Sequence, residues 1–209
     1  LEEQLIEPQV KNTAELWSDG VKKAEWPATL SIPNGGKYVS KSGKQNGNKI
    51  DWTIKINESQ SYVSNAKIED TPSLNQILIP DSFRLFAAKP GTTEKDPTAE
   101  LVKDVDYDLV FTTVPTPDGD QEKFVLSFKH PISRAYVLEY QSFINAGDKD
   151  KVKNSVTFSG EQIKTEIVPT TTEIIVRVSS GSGSGSGVTG SLEVTKVDKD
   201  DPAKVLEGA

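Results

Sequence analysis

Lys49-Ile50-Asp51-Trp52-Thr53-Ile54-Lys55-Ile56-Asn57 decides the fold. Ile50, Trp52, Ile54 and Ile56 take one parity, and Asp51, Thr53, Lys55 and Asn57 the other, which is the period of a half-buried strand and not of a helix. The same alternation recurs outward in both directions. Ala66 and Ile68 alternate with Lys67 and Glu69; Tyr107, Leu109 and Phe111 alternate with polar or small neighbours, and so do Phe124, Leu126 and Phe128. Arg134 to Ile144 and Thr172 to Val178 are β-branched or aromatic runs of the kind buried on both faces. Turn clusters separate the runs: Asn46-Gly47-Asn48, Lys89-Pro90-Gly91 and Pro117-Asp118-Gly119. No stretch keeps helical periodicity long enough to form a helix. About eight or nine strands with regular turns predict an all-β, immunoglobulin-like antiparallel β-sandwich.

Composition excludes several functions. The 209 residues carry a net charge of −7, so the chain lacks the basic footprint of a nucleic-acid or anionic-lipid partner. There is no cysteine and one histidine, which removes disulfides, thiol nucleophiles, zinc fingers and any two-histidine metal site. No cofactor and no metal is expected. Methionine is absent even at position 1, and no signal peptide or apolar run of membrane-spanning length is present, so the chain reads as an excised piece of something longer.

Two breaks organise it. Gly181 to Gly187 alternates Gly and Ser, a flexible coil that builds no core. Pro33-Asn34-Gly35-Gly36 interrupts the chain before the strand that begins near Tyr38. Val10-Lys11-Asn12-Thr13-Ala14 is similar to Val152-Lys153-Asn154-Ser155-Val156, and Leu192-Glu193-Val194-Thr195-Lys196 to Lys37-Tyr38-Val39-Ser40-Lys41. An end-of-domain segment therefore precedes a complete domain, and a start-of-domain segment follows it. The expected division is 1–36, either the closing strands of a preceding domain or an extension packed on the main one; 37–179, the sandwich; 180–189, the linker; and 190–209, the truncated start of another repeat.

Three strands carry a polar residue on an otherwise apolar face. Lys41 shares the parity of Val39, Asp70 that of Ala66 and Ile68, and Asn154 that of Val156 and Phe158, so all three point into a sandwich interior. Burial lowers a lysine pKa and raises that of an aspartate, which makes a neutral amine beside a protonated carboxyl accessible. The amine can attack the asparagine side-chain carbonyl carbon while the carboxyl shuttles the proton that converts the leaving group to ammonia. The product is a Lys–Asn isopeptide crosslink, formed once. The competing reading puts each residue at a strand end with its head in water, as lysine stems allow.

The stretches Lys41-Ser42-Gly43, Lys49 to Asn57, Asn65-Ala66-Lys67-Ile68-Glu69-Asp70-Thr71, Pro80-Asp81-Ser82-Phe83-Arg84-Leu85, Ile132 to Tyr140 and Lys153-Asn154-Ser155-Val156 resemble, in that order, the collagen-adhesin binding-domain family of Gram-positive surface proteins. The resemblance runs from about Lys37 to Val178. It implies a spontaneous crosslink between a first-strand lysine and a last-strand asparagine, assisted by a middle-strand acid, and Lys41, Asn154 and Asp70 occupy those positions. Lys37 is the alternative nucleophile and Glu69 the alternative acid, although the parity of Glu69 points outward. Gly190 to Asp198 with Val205 to Ala209 resembles the opening of the B-type stalk repeat of the same adhesins, in which Lys196 matches a crosslink donor whose partner would lie past residue 209. By the same logic Asn12 belongs to a preceding domain.

Other clusters have plainer accounts. Asp104, Asp106 and Asp108 have calcium-loop spacing without its glycine or glutamate, and an exposed strand face opposite Val105, Tyr107 and Leu109 explains them. Asp148-Lys149-Asp150-Lys151 reads as a solvated loop and His130-Pro131 as a surface turn. The aromatics mostly take inward parity. The expected function is a non-enzymatic structural and adhesive module, extracellular and cell-wall anchored, monomeric, flanked by further domains of the same adhesin. The resemblance implies an extracellular matrix partner such as collagen. The alternatives are a stalk or spacer without ligand, and a carbohydrate-targeting accessory module of a secreted enzyme.

Overall fold

The computed structural model describes residues 5–161, 163 and 170–178. In chain order its strands are β1 (Gln9–Ser18), β2 (Val21–Ser31), β3 (Val39–Asn46), β4 (Lys49–Ile56), β5 (Lys67–Pro72), β6 (Gln76–Leu78), β7 (Arg84–Ala88), β8 (Lys95–Glu100), β9 (Tyr107–Thr116), β10 (Gly119–Phe128), β11 (Tyr136–Ile144), β12 (Lys151–Ser159) and β13 (Thr170–Ile175). Thirteen strands among the described residues exceed the eight or nine expected. Of the additional ones, β1 and β2 fall in the segment 1–36, where strands were expected, whereas the three-residue β6 and β8 carry too little apolar alternation to announce themselves.

One sheet runs β3-β4-β11-β7-β8, with β6 also paired to β11; the other runs β13-β12-β5-β10-β9, and all pairs of named strands are antiparallel. The two inner faces form the core. From the first sheet come Val39, Ile50, Trp52, Ile54, Ile56, Leu85, Leu138 and Tyr140; from the second come Ile68, Leu109, Phe124, Leu126, Val152, Val156 and Phe158. Ile50, Ile54, Ile56, Ile68, Phe124 and Leu126 are all 0% exposed, as the alternation requires.

Gly43 has a specific place in this core. It pairs with Trp52 across β3 and β4, and a Cβ at position 43 would lie 2.5 Å from the Trp52 ring. The absent side chain lets the indole lie against the backbone of β3, close to Lys41, with its Nε1 donating to Ser142 Oγ at 2.9 Å.

β1 and β2 form a separate ribbon. In register, Val10 faces Leu30, Asn12 faces Ala28, Ala14 faces Trp26 and Leu16 faces Ala24, so alternation gathers the apolar residues on one side with Asn12 among them. Val10, Leu16, Trp26 and Leu30 are all more than half exposed. On the other side Trp17 Nε1 and Lys22 Nζ both donate to the Glu15 carboxylate. Trp17 and Trp26 thus depart from the expected inward parity of the aromatics.

The acidic triplet also differs from its sequence reading. Asp104 lies in a turn at φ +66, a left-handed conformation that aspartate tolerates, and Asp106 accepts the Val102 amide at 2.7 Å. Val105 at that turn is 62% exposed, and only Asp108 lies on a strand. His130 lies in an exposed turn. In the loop before β12, Asp148 and Asp150 accept the amides of Val178 and Gly147, which fixes the loop to β13's exit. The chain divides into two units, Leu1–Val178 and Ser179–Ala209; the second, with the Ser/Gly linker, the tail repeat and Lys196, lies outside the described residues.

Candidate crosslinking site

Strand alternation brings Lys41, Asp70 and Asn154 together in the interior. Lys41 enters from β3 in the first sheet, whereas Asp70 on β5 and Asn154 on β12 enter from the second. In register, Asp70 stands opposite Val156 on β12 and Phe124 on β10, and Asn154 stands opposite Pro72 on β5. The Lys41 and Asp70 side chains are both 0% exposed and form an ion pair between Nζ and Oδ2. The lysine head therefore does not reach water. Asn154 is 1% exposed.

Tyr140 is the element that sequence reasoning missed. Its hydroxyl accepts from Lys41 Nζ at 2.5 Å and from Asn154 Nδ2 at 2.8 Å, and donates to Asp70 Oδ1 at 3.2 Å. One oxygen thus touches all three residues. Its ring is fixed by stacking on Phe83 (centroids 4.6 Å, 11°) and by an edge contact with Phe124 (5.2 Å, 76°). It lies at the parity of Leu138 and Ser142 on β11, but Val137 is buried as well, so the run offers no single inward face to a reading of the sequence. Lys41 Nζ also lies 4.8 Å from the Trp52 ring centroid and 5.1 Å from that of Tyr140, in cation–π range.

Burial dominates the electrostatics. It brings Lys41 from the usual 10.5 down to about 8, against the opposing charge and hydrogen bond of Asp70. It raises Asp70, against Lys41, Tyr140 and Asn154. It also pushes the Tyr140 hydroxyl well above its ordinary value, with the Asp70 charge acting in the same direction. The two shifts of the ion pair converge, so moving one proton from the ammonium to the carboxylate costs far less here than in water. Asn154 Oδ1 is buried without a hydrogen-bond partner, an arrangement that costs on the order of 1–3 kcal/mol and leaves the amide poorly held in its unreacted form.

The remaining expected residues lie apart from this cluster. Lys37 precedes β3 with its side chain 51% exposed, 3.3 Å from the Glu58 carboxylate. Glu69 faces outward, 3.8 Å from Lys123 Nζ. Asn12 is exposed on the ribbon. An open groove of about 440 Å³ crosses the outer face of the first sheet and is lined by Asp51, Thr53, Arg84, Glu139 and Gln141. Two of its charges are matched locally, Arg84 to Glu100 and Glu139 to Lys95, and its floor reaches Trp52 and Tyr140. No group of three or more metal-ligating side chains occurs among the described residues, and no helix there is long and apolar enough to cross a membrane.

The chain is similar to the structure of the Enterococcus faecalis MSCRAMM ACE, which binds its ligands by the collagen Hug model, with 19% identity and a TM-score of 0.51 over 80% of this chain and 60% of that one. It is also similar to ACE19, the collagen binding subdomain of the Enterococcus faecalis surface protein ACE (17% identity, TM-score 0.49, 70% and 99% of the two chains). A third similar structure is the collagen-binding domain from a Staphylococcus aureus adhesin (10%, 0.45, 68% and 99%). No curated protein sequence matches. The first of these likenesses shows a shared sandwich fold. The sequence pattern of the collagen binding domain fits residues 36–168, a span that runs from the approach to β3 past the end of β12, and the chain belongs to that family.

Proposed function

We propose that this chain is a structural and adhesive module of a bacterial surface protein, displayed outside the cell, which grips a collagen-like matrix protein and is stiffened by an isopeptide bond between Lys41 and Asn154. Membership of the collagen binding domain family supports the adhesive part. The observation that supports the bond is the fully buried Lys41–Asp70 pair sharing the Tyr140 hydroxyl with Asn154. A buried ion pair of this kind is a poor device for stability alone, since desolvation offsets most of its attraction. It is a good device for holding an amine that must lose its proton.

In the reaction Lys41 passes a proton to Asp70 and becomes a neutral nucleophile. Nζ attacks Cγ of Asn154, the Cγ–Nδ2 bond breaks, and Nδ2 departs as ammonia carrying a proton from the amine. No oxidant, metal or cofactor enters, and the module turns over once. The ribbon β1–β2 fits the closing strands of a preceding sandwich better than an extension of this one, because its apolar face is uncovered and a lone two-stranded ribbon is marginal in water.

Intact-mass spectrometry of the purified chain tests the bond. The expected mass is that of the sequence less one ammonia, and Lys41→Ala, Asn154→Ala and Asp70→Ala should each restore the full mass. A wild-type chain at full sequence mass would sink the crosslink. Adhesion is tested separately by binding of immobilised collagen at physiological salt. The chain should bind saturably, and an absence of binding would leave the stalk reading as the better one.

A further inference from the structure

We propose that Tyr140 is a catalytic residue of the crosslinking reaction: its hydroxyl relays the proton from Lys41 Nζ to the departing Nδ2 of Asn154. This rests on the isopeptide reading above and adds a residue and a path to it. The geometry is the reason. Among the hydrogen bonds of the cluster, those to the Tyr140 oxygen join the attacking nitrogen, at 2.5 Å, to the leaving nitrogen, at 2.8 Å.

The chemistry gives such a bridge a use. In the unreacted amide Nδ2 is a donor with no basic lone pair, and accordingly it donates to Tyr140. Once Nζ has added to Cγ, the carbon is tetrahedral and Nδ2 becomes a basic amine, so the direction of that hydrogen bond can reverse. Nζ, now carrying a positive charge and an excess proton, gives it to the Tyr140 oxygen as that oxygen gives its own proton to Nδ2. The Cγ–Nδ2 bond breaks, ammonia leaves, the secondary amide remains and the tyrosine is regenerated. Burial opposes formation of a phenolate at this position, so the two transfers are coupled and no tyrosinate accumulates. Asp70 is complementary. When it holds the first lysine proton it no longer needs the Tyr140 hydroxyl as a donor, which frees that proton for Nδ2. The ring cannot swing away, because Phe83 and Phe124 hold it on two sides.

Tyr140→Phe keeps those ring contacts and removes the relay. In chains made by cell-free synthesis and sampled as they fold, before the bond has formed, the loss of ammonia followed by mass spectrometry should be slower by about 10²-fold than in wild type, the lower range for a positioned proton-transfer group. Tyr140→Phe in an Asn154→Ala background reports whether the fold survives independently of the bond. A folded Tyr140→Phe chain that crosslinks at the wild-type rate overturns the relay while leaving the Lys41–Asn154 bond intact. A wild-type chain that never loses ammonia overturns the bond itself, and the relay with it. Should Tyr140→Phe fail to fold, 3-fluorotyrosine at position 140 keeps ring and hydroxyl but makes the proton more acidic. Its rate should change several-fold under the proposal, and an unchanged rate overturns it.

Discussion

Asp70→Ala is expected to remove most of the stability of the sandwich, lowering the unfolding temperature by roughly 20–30 °C. Two losses combine. Removing one partner of a buried ion pair costs about 3–5 kcal/mol, because the other charge stays in the interior uncompensated. Lys41, whose side chain is 0% exposed, is that charge. In the proposed reaction no crosslink forms without the acid, which forfeits about 4–5 kcal/mol more in the chain-entropy model for a closed loop of this size. Together these approach the whole stability of a typical domain. Differential scanning calorimetry of wild type and variant at one pH checks the shift, and a drop of only a few degrees would contradict it.

The same variant has a pH signature with a definite sign. Both influences that hold the pKa of unreacted Lys41 up, the Asp70 charge and its hydrogen bond, are gone, so the folded-state value falls below the figure of about 8 for the unreacted pair, while the unfolded value stays at the usual 10.5. Between those two values the unfolded chain binds the proton and the folded chain does not. Stability therefore rises with pH across that window, by about 1.4 kcal/mol per unit, and levels off above it. Denaturant unfolding of Asp70→Ala at pH 8, 9 and 10 should show that rise, and a flat or falling trend would mean that Lys41 is not buried without a partner.

The inward positions of Lys41, Asp70 and Asn154 were legible because each interrupts a short apolar face, and period-two alternation leaves one choice of side. Tyr140 was not, for a physical reason. It sits in a run whose neighbours Val137 and Leu138 are both buried, so alternation singles out no face, and its role depends on the register that sets it beside Trp52. On the other side of β4, Gly43 leaves room for the Trp52 indole, a contact between strands that no local pattern encodes. Strands were expected within 1–36, but their pairing as a ribbon was not legible, because Asn12 and Pro27 dilute the apolar alternation of β1 and β2. The acidic triplet was misread since strand alternation was extended across a turn that Asp106 closes through the Val102 amide.

Asn154→Ala separates the covalent tie from the buried charge. The variant keeps Lys41, Asp70 and Tyr140 and loses only the electrophile, so it should fold, with stability lower by about 4–5 kcal/mol and a smaller thermal shift than Asp70→Ala. Its larger effect is mechanical. A bond from β3 to β12 closes a loop of about 113 residues that no pulling force on the ends can extend. At about 3.3–3.6 Å per extended residue, that loop holds roughly 370–400 Å of chain in reserve. In single-molecule stretching from the two termini, wild type should release only the segments outside Lys41 and Asn154, whereas Asn154→Ala should release the additional length in one unfolding event. Equal release from the two proteins would mean that the strands are not joined. Without the tie, survival under load depends on the unfolding rate of the sandwich. With it, force bypasses the interior of the domain, which is what a tether to a matrix fibre requires of a chain that has no cysteine to make a disulfide.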